Sequence, residues 1–187
     1  MLLPRTLLRA GRRRRGHFVH DERGATIVEF ALLSVPFFAI IGAILETAMI
    51  FLASEVLDAA VHDANRLILT GQAQVSGFDA EDFRASICDH TFGFFGDCSG
   101  IHVRVTPVTS FASASAVPPV DITCTETCDW TAPQVFTPGQ GSSVMMVQAY
   151  YKWPTLLNFA NFTFANLGDN TRLLAAVRVF RNEPFSG

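Results

Sequence analysis

A chain of 187 residues, 49% apolar and 17% charged, has room for one ordinary domain plus an appendage and is too apolar to be disordered over most of its length. Its formal charge of −3 is unevenly spread. Residues 1–24 hold seven of the 14 basic residues (Arg5, Arg9, Arg12, Arg13, Arg14, Arg15 and Arg23) and two of the 17 acids, Asp21 and Glu22, so that segment carries +5 and the remainder −8. The division excludes a uniformly basic nucleic-acid binder.

From Phe30 to Ala53 the sequence FALLSVPFFAIIGAILETAMIFLA carries one charge, Glu46, and lacks the polar stripe of a buried soluble helix, so it is expected to span a membrane once. Arginines crowd its N-terminal side. The positive-inside rule therefore places residues 1–24 in the cytoplasm and everything after Ala53 outside it. The run is too long for a signal-peptide core and no clear small-x-small site follows it. Pro36 is expected to bend the helix without ending it. The Arg12–Arg15 run has the composition of a nucleic-acid or anionic-lipid patch, but orientation of the span already accounts for it.

A carboxylate at the centre of a bilayer costs about 2.5 to 3.5 kcal/mol, so Glu29 and Glu46 each need a place. With a helix starting at Ala25, a rise of about 1.5 Å per residue puts Glu29 roughly 6 Å in and Glu46 roughly 31 Å along, near the two edges of a core about 30 Å thick. A register shifted toward Ala53 would bury Glu46 instead, and the sequence leaves both registers open. Ala39, Ala43 and Thr47, four residues apart, would let neighbouring helices approach closely.

The residues Arg23-Gly24-Ala25-Thr26-Ile27-Val28-Glu29-Phe30 resemble a prepilin processing motif: a basic leader ending in Gly, a small residue after the cut, and Glu at the fifth mature position before an apolar helix. More narrowly, RGATIVEFALL resembles the TadE-like proteins, pseudopilins or minor pilins of the bacterial tight-adherence (Flp) pilus system, as does the ending RNEPF, Arg181–Phe185. The resemblance covers about residues 22–70. It implies cleavage between Gly24 and Ala25 by an inner-membrane prepilin peptidase. It further implies a carboxylate at Glu29 that pairs with the new amine of a subunit, and partners among other pilin or pseudopilin subunits and the assembly platform. Independently of the family, two poorly solvated opposite charges gain by pairing. The plain alternative is that Glu29 is an interfacial acid favoured by the helix macrodipole.

Beyond the span, Leu57, Ala60, Ala64, Leu67 and Ile68 recur at helical spacing with Glu55, Asp58, His62, Asp63 and Arg66 elsewhere. No breaker intervenes before Gly71, a C-cap candidate. The reading is one helix from Ala25 to Thr70, membrane-spanning over 25–53 and packed on a head over 54–71. Residues 72–187 form that extracytoplasmic head. Asp79 with Asp82 opens a helix over Ala80–Asp89, and Ile101, Val103 and Val105 alternate as a first strand. Residues 112–143 make a long surface excursion suited to binding or subunit contact. Strands follow over Val144–Trp153, stopped by Pro154, and over Thr171–Arg181, with 155–170 read as a partly packed loop or one helical turn. The fold class is α+β: a pilin-like long helix on a small antiparallel sheet of about three strands.

Cys88, Cys98, Cys124 and Cys128 all fall on the outer side, where an even number argues for two disulfides. Of three pairings the local ones, Cys88 with Cys98 and Cys124 with Cys128, are favoured. Zinc is disfavoured by C-x9-C and C-x3-C spacings without clustered His. No catalytic motif, cofactor site or metal site is recognised. His62, His90 and His102 are read as solvated surface residues. The function expected is assembly of a type IV-like pilus. The alternative is an uncleaved single-span anchor whose periplasmic head binds a ligand or partner, with a small tethered enzyme third.

Overall fold

The computed structural model describes residues 24–159 and 162–185. The basic leader up to Arg23 therefore lies outside the described residues. The chain divides into two units, Met1–Ala43 and Ile44–Gly187.

Helix α1 runs from Ala25 to Leu69 through Pro36, one residue short of the expected end. In the first unit none of residues 24–43 is buried. In the second unit the same helix buries Glu46, Ile50, Ala53, Leu57, Ala60, Val61, Ala64, Asn65 and Ile68, a stripe at spacings of three and four. Gly71 follows with φ of +81°, a left-handed conformation that glycine adopts without the Cβ penalty.

Two short helices come next. Helix α2 (Gln72–Val75) lies in a stretch that gave no helical signal. Helix α3 (Ala80–Asp89) has the expected bounds. Its capping box is complete: Asp79 Oδ1 accepts from the N–H of Glu81 and Asp82 at 2.7 and 2.9 Å, and the Asp79 N–H donates to Asp82 Oδ2 at 3.1 Å. Phe83 and Ile87, four apart, are its buried face.

Strand β1 (His102–Val108) is followed by β2 (Val135–Phe136), β3 (Val144–Pro154), β4 (Asn158–Phe159), β5 (Phe162–Thr163) and β6 (Thr171–Arg181). The main sheet has the order β2-β1-β3-β6. β1, β3 and β6 pair antiparallel as expected, but the two-residue β2 adds a fourth, parallel strand from within the excursion. The sheet is therefore mixed. Pro154 closes β3 inside the ladder, opposite Thr171. In the segment after it β4 and β5 pair antiparallel, where a partly packed loop or one helical turn was expected.

One face of the sheet carries Val103 and Val105, Met145, Val147 and Ala149, Leu174 and Ala176, which share a single apolar core with the helix stripe, Phe83 and Ile87. The opposite face is also covered. His102, Gln148 and Tyr150 are buried there. Near it Val120, Cys128 and Leu167 form a second, smaller cluster with Cys124, Trp130 and Leu173 packed against it. The excursion is thus the second cover of the sheet, which is why β3 is buried continuously from Val144 to Tyr150 and does not alternate.

Disulfides join Cys88 to Cys98 and Cys124 to Cys128. The first ties the end of α3 to the approach of β1. The second closes a turn of the excursion over the sheet.

Candidate functional site

The residues singled out at the helix start sit together. Gly24 is exposed, and a Cβ placed on it would meet nothing within 4 Å. Ala25 opens α1, and Glu29, four residues on, lies one turn along the same face. Glu29 is exposed and is outside the first turn, which holds no acid. Macrodipole stabilisation fades within that turn, so the helix end gives the carboxylate little support. Around it the helix presents Ile27, Val28, Phe30, Leu32, Leu33, Val35, Phe37 and Phe38, all exposed. Among the described residues one helix, α1, is long and apolar enough to cross a membrane. Glu29 is thus the one carboxylate on the unburied apolar stretch of the helix over residues 25–43.

Glu46, the second carboxylate of that apolar run, has a different environment. It is 7% exposed, and its Oε1 and Oε2 accept from the backbone N–H groups of Leu156 at 2.7 Å and Leu157 at 2.9 Å. Two charge-assisted bonds satisfy the carboxylate and tie the segment after β3 to the helix, 110 residues away in sequence. The contact gives Glu46 a protein environment within the second unit. No sequence signal could have identified the contact, because both donors are main-chain groups.

Further along, Asp58 pairs with Arg178 of β6. The chain ending also returns to α1: the Glu183 N–H donates to the Leu69 carbonyl at 2.9 Å. Asn182 Nδ2 donates to the carbonyls of Pro138 at 3.1 Å and Gln140 at 3.0 Å. The Phe185 ring lies so close to Gly71 that a Cβ there would stand 2.8 Å from it. The RNEPF ending is therefore a clamp over the C-terminus of the long helix.

Of the three histidines expected to be solvated, His62 and His90 are exposed. His102 is not, which corrects its reading as a solvated residue. It is 5% exposed, its ring stacks on Trp130 at 4.4 Å, and its Nε2 has no partner. The Lys152 ammonium lies 4.4 Å from the centre of the same indole and donates to the Cys128 carbonyl. Burial, then the charges of Arg104 and Lys152, hold the imidazole below its ordinary pKa. Alternation along β1 put His102 on the face opposite the core, and the excursion that covers this face carries no periodic signal. Among the described residues no group of His, Cys, Asp and Glu is placed to hold a metal ion.

Residues 24–66 match the family model described as TadE-like protein. The match begins at Gly24 and ends within α1. No curated protein and no solved structure matches the chain.

Proposed function

Taking the TadE-like match of residues 24–66 as premise, we propose that this chain is a pseudopilin or minor pilin that takes part in assembling a tight-adherence pilus. In this reading the first half of α1 is held in the bacterial inner membrane, with the leader cytoplasmic and the disulfide-bearing head periplasmic. The observation that carries the reading is the succession at the helix start: an exposed Gly24–Ala25 junction, Glu29 one turn later, and an unburied apolar helix behind it. A prepilin peptidase cuts after Gly24. The cut gives Ala25 a charged amine, and the Glu29 carboxylate of an adjacent subunit offsets it where lipid solvates neither group well. Apolar helix faces then pack against one another as subunits assemble, while the head engages partner subunits or the assembly platform. The role is one of structure and assembly, not catalysis.

N-terminal sequencing of the chain from its native membrane is expected to begin at Ala25. Co-expression with an active prepilin peptidase is expected to remove residues 1–24, and Gly24→Val to prevent this. Glu29→Ala is expected to be cut normally and to assemble poorly. A chain that still begins at Met1 beside an active peptidase would favour an uncleaved membrane anchor with a binding head and would overturn the pilin reading.

A further inference from the structure

Strand β6 lies at the edge of the sheet and pairs only with β3. Its even-numbered residues face β3, a register continued by the Asn182 N–H on the Ser143 carbonyl at 2.9 Å. The odd-numbered ones present their backbone to the other side. There the start of the strand is capped: the Thr171 carbonyl accepts from Asn166 and Leu167, and the Leu173 N–H donates to Asn166 Oδ1 at 2.7 Å. From Ala175 through Val177 and Val179 to Arg181 no described residue takes up the outward N–H and C=O groups. The pairing with β3 is unbroken from Thr171 to Arg181, so no bulge twists this edge away, and the strand contains neither Pro nor Lys. Proteins usually blunt such an edge by one of these devices.

Beside it, helix α1 and β6 enclose a cavity of ≈ 240 Å³ lined by Asn65, Arg66, Arg178 and Val179 among others. Asn65 is 6% exposed and its Oδ1 has no hydrogen-bond partner, a deficit that a buried acceptor normally makes good. The charges that β6 itself brings to the edge are of one sign. β6 carries three arginines and no acid. Arg178 is neutralised by Asp58, whereas Arg66 and Arg181 are exposed and make no ion pair among the described residues. The flanking acids lie beyond the strand: Asp169 Oδ1 accepts from the N–H and hydroxyl of Thr171, and the Glu183 N–H is on the Leu69 carbonyl.

We propose that the open edge of β6 takes up an extended, carboxylate-bearing segment of a partner protein as a fifth strand, with one carboxylate on Arg66 at the mouth of the cavity. Main-chain bonds to Ala175, Val177, Val179 and Arg181 supply the pairing, and alternate side chains supply the selection. A donor on the incoming segment reaches Asn65 Oδ1. A second copy of this chain fits less well, because its β6 brings further arginines and no acid to meet them. The surface belongs to the head and goes beyond the assembly role, so it would stand even if the leader were never cut.

The test uses the oxidised full chain in detergent micelles and a fluorescent nine-residue peptide alternating valine or threonine with glutamate. Two further peptides replace the glutamates with lysine or methylate alternate backbone nitrogens. Anisotropy is expected to show saturable binding of the acidic peptide, at least about tenfold weaker for the lysine peptide and for Arg66→Glu protein, and none for the methylated peptide. Val177→Pro is expected to abolish binding while leaving the β3 ladder intact, since that N–H points outward. Equal binding of the acidic and lysine peptides, undiminished binding of the methylated one, or no saturable binding would overturn the proposal. Self-association abolished by Val177→Pro would do so as well, by assigning the edge to a second copy.

Discussion

Glu46 shows how one side chain can join distant parts of a chain. Truncating it to Ala leaves the N–H groups of Leu156 and Leu157 without their acceptor, and hydrogen bonds to a charged group contribute about 1.5 to 3 kcal/mol each. Glu46→Ala is therefore expected to lower the unfolding free energy of the second unit by about 3 to 6 kcal/mol in denaturant titrations followed by near-ultraviolet circular dichroism. An unchanged midpoint would mean that the two bonds do not form in solution. His102 makes a different prediction, because its pKa is depressed in the fold by burial first and by Arg104 and Lys152 after it. In the unfolded chain it titrates near 6.5. Below that pH the unfolded state binds more protons than the folded one, so its contribution makes stability fall as pH drops from about 6.5 toward the folded pKa and leaves it flat above. His102→Phe keeps an aromatic ring against Trp130 and removes the titration, so the variant is expected to lose that acid-side slope. A variant with the same slope as the parent would place the titration elsewhere. At this scale the sequence showed the Asp79–Asp82 cap and the Gly71 stop, because both depend on neighbours within a turn. It could not show what covers His102 or what satisfies Glu46, because those partners come from far along the chain.

Among the elements, those with a period were legible and those without one were not. The spacing of Leu57, Ala60 and Ala64 announces the outer half of α1, and alternation announces β1. The run VMMVQAYY in β3, apolar but for Gln148, reads as a strand, and the reason its burial does not alternate is the excursion packed on its other face. β2 escapes notice because two residues have no period. It is held by its surroundings: the Val103 N–H donates to Gln134 Oε1 at 3.3 Å and the Thr137 N–H to the Val105 carbonyl at 2.9 Å. In the sequence the ending Arg181–Phe185 carries only a family resemblance, yet it closes the helix end. Asn182 is 2% exposed, and its amide serves two carbonyls of the loop before β3. Asn182→Ala is expected to cost about 2 kcal/mol for those two bonds. Hydrogen exchange is expected to show the loss first around Leu69 and in residues 138–143, because the clamp joins these segments. Uniform loss of protection across the head would instead mean that Asn182 supports the whole core.

At the scale of the whole molecule the head has two covers of unequal standing, and its disulfides are divided between them. Cys98 belongs to the main core shared by the helix and the sheet, whereas Cys128 belongs to the small cluster formed with the excursion. Loop-closure entropy alone barely separates the bridges. It assigns about 3 kcal/mol to the 10-residue separation of Cys88 and Cys98 and about 2 kcal/mol to the 4-residue separation of Cys124 and Cys128. What separates them is what each holds in place. Replacing Cys88 and Cys98 by Ser is expected to lower the stability of the entire head, because α3 and the approach to β1 both rest on that core. Replacing Cys124 and Cys128 is expected to open the excursion locally, in the manner of a low-stability cooperative unit, with a smaller change in the global midpoint. Opening would also lift Trp130 from the imidazole and rehydrate it, reversing the burial that holds the His102 pKa down. The Cys124→Ser, Cys128→Ser protein is therefore expected to show His102 titrating closer to 6.5 when followed by the imidazole proton resonances, while the Cys88→Ser, Cys98→Ser protein, where it still folds, keeps the depressed value. If the His102 resonance titrates identically in both variants, the excursion is held down by its apolar contacts alone and the second disulfide has no part in covering the sheet.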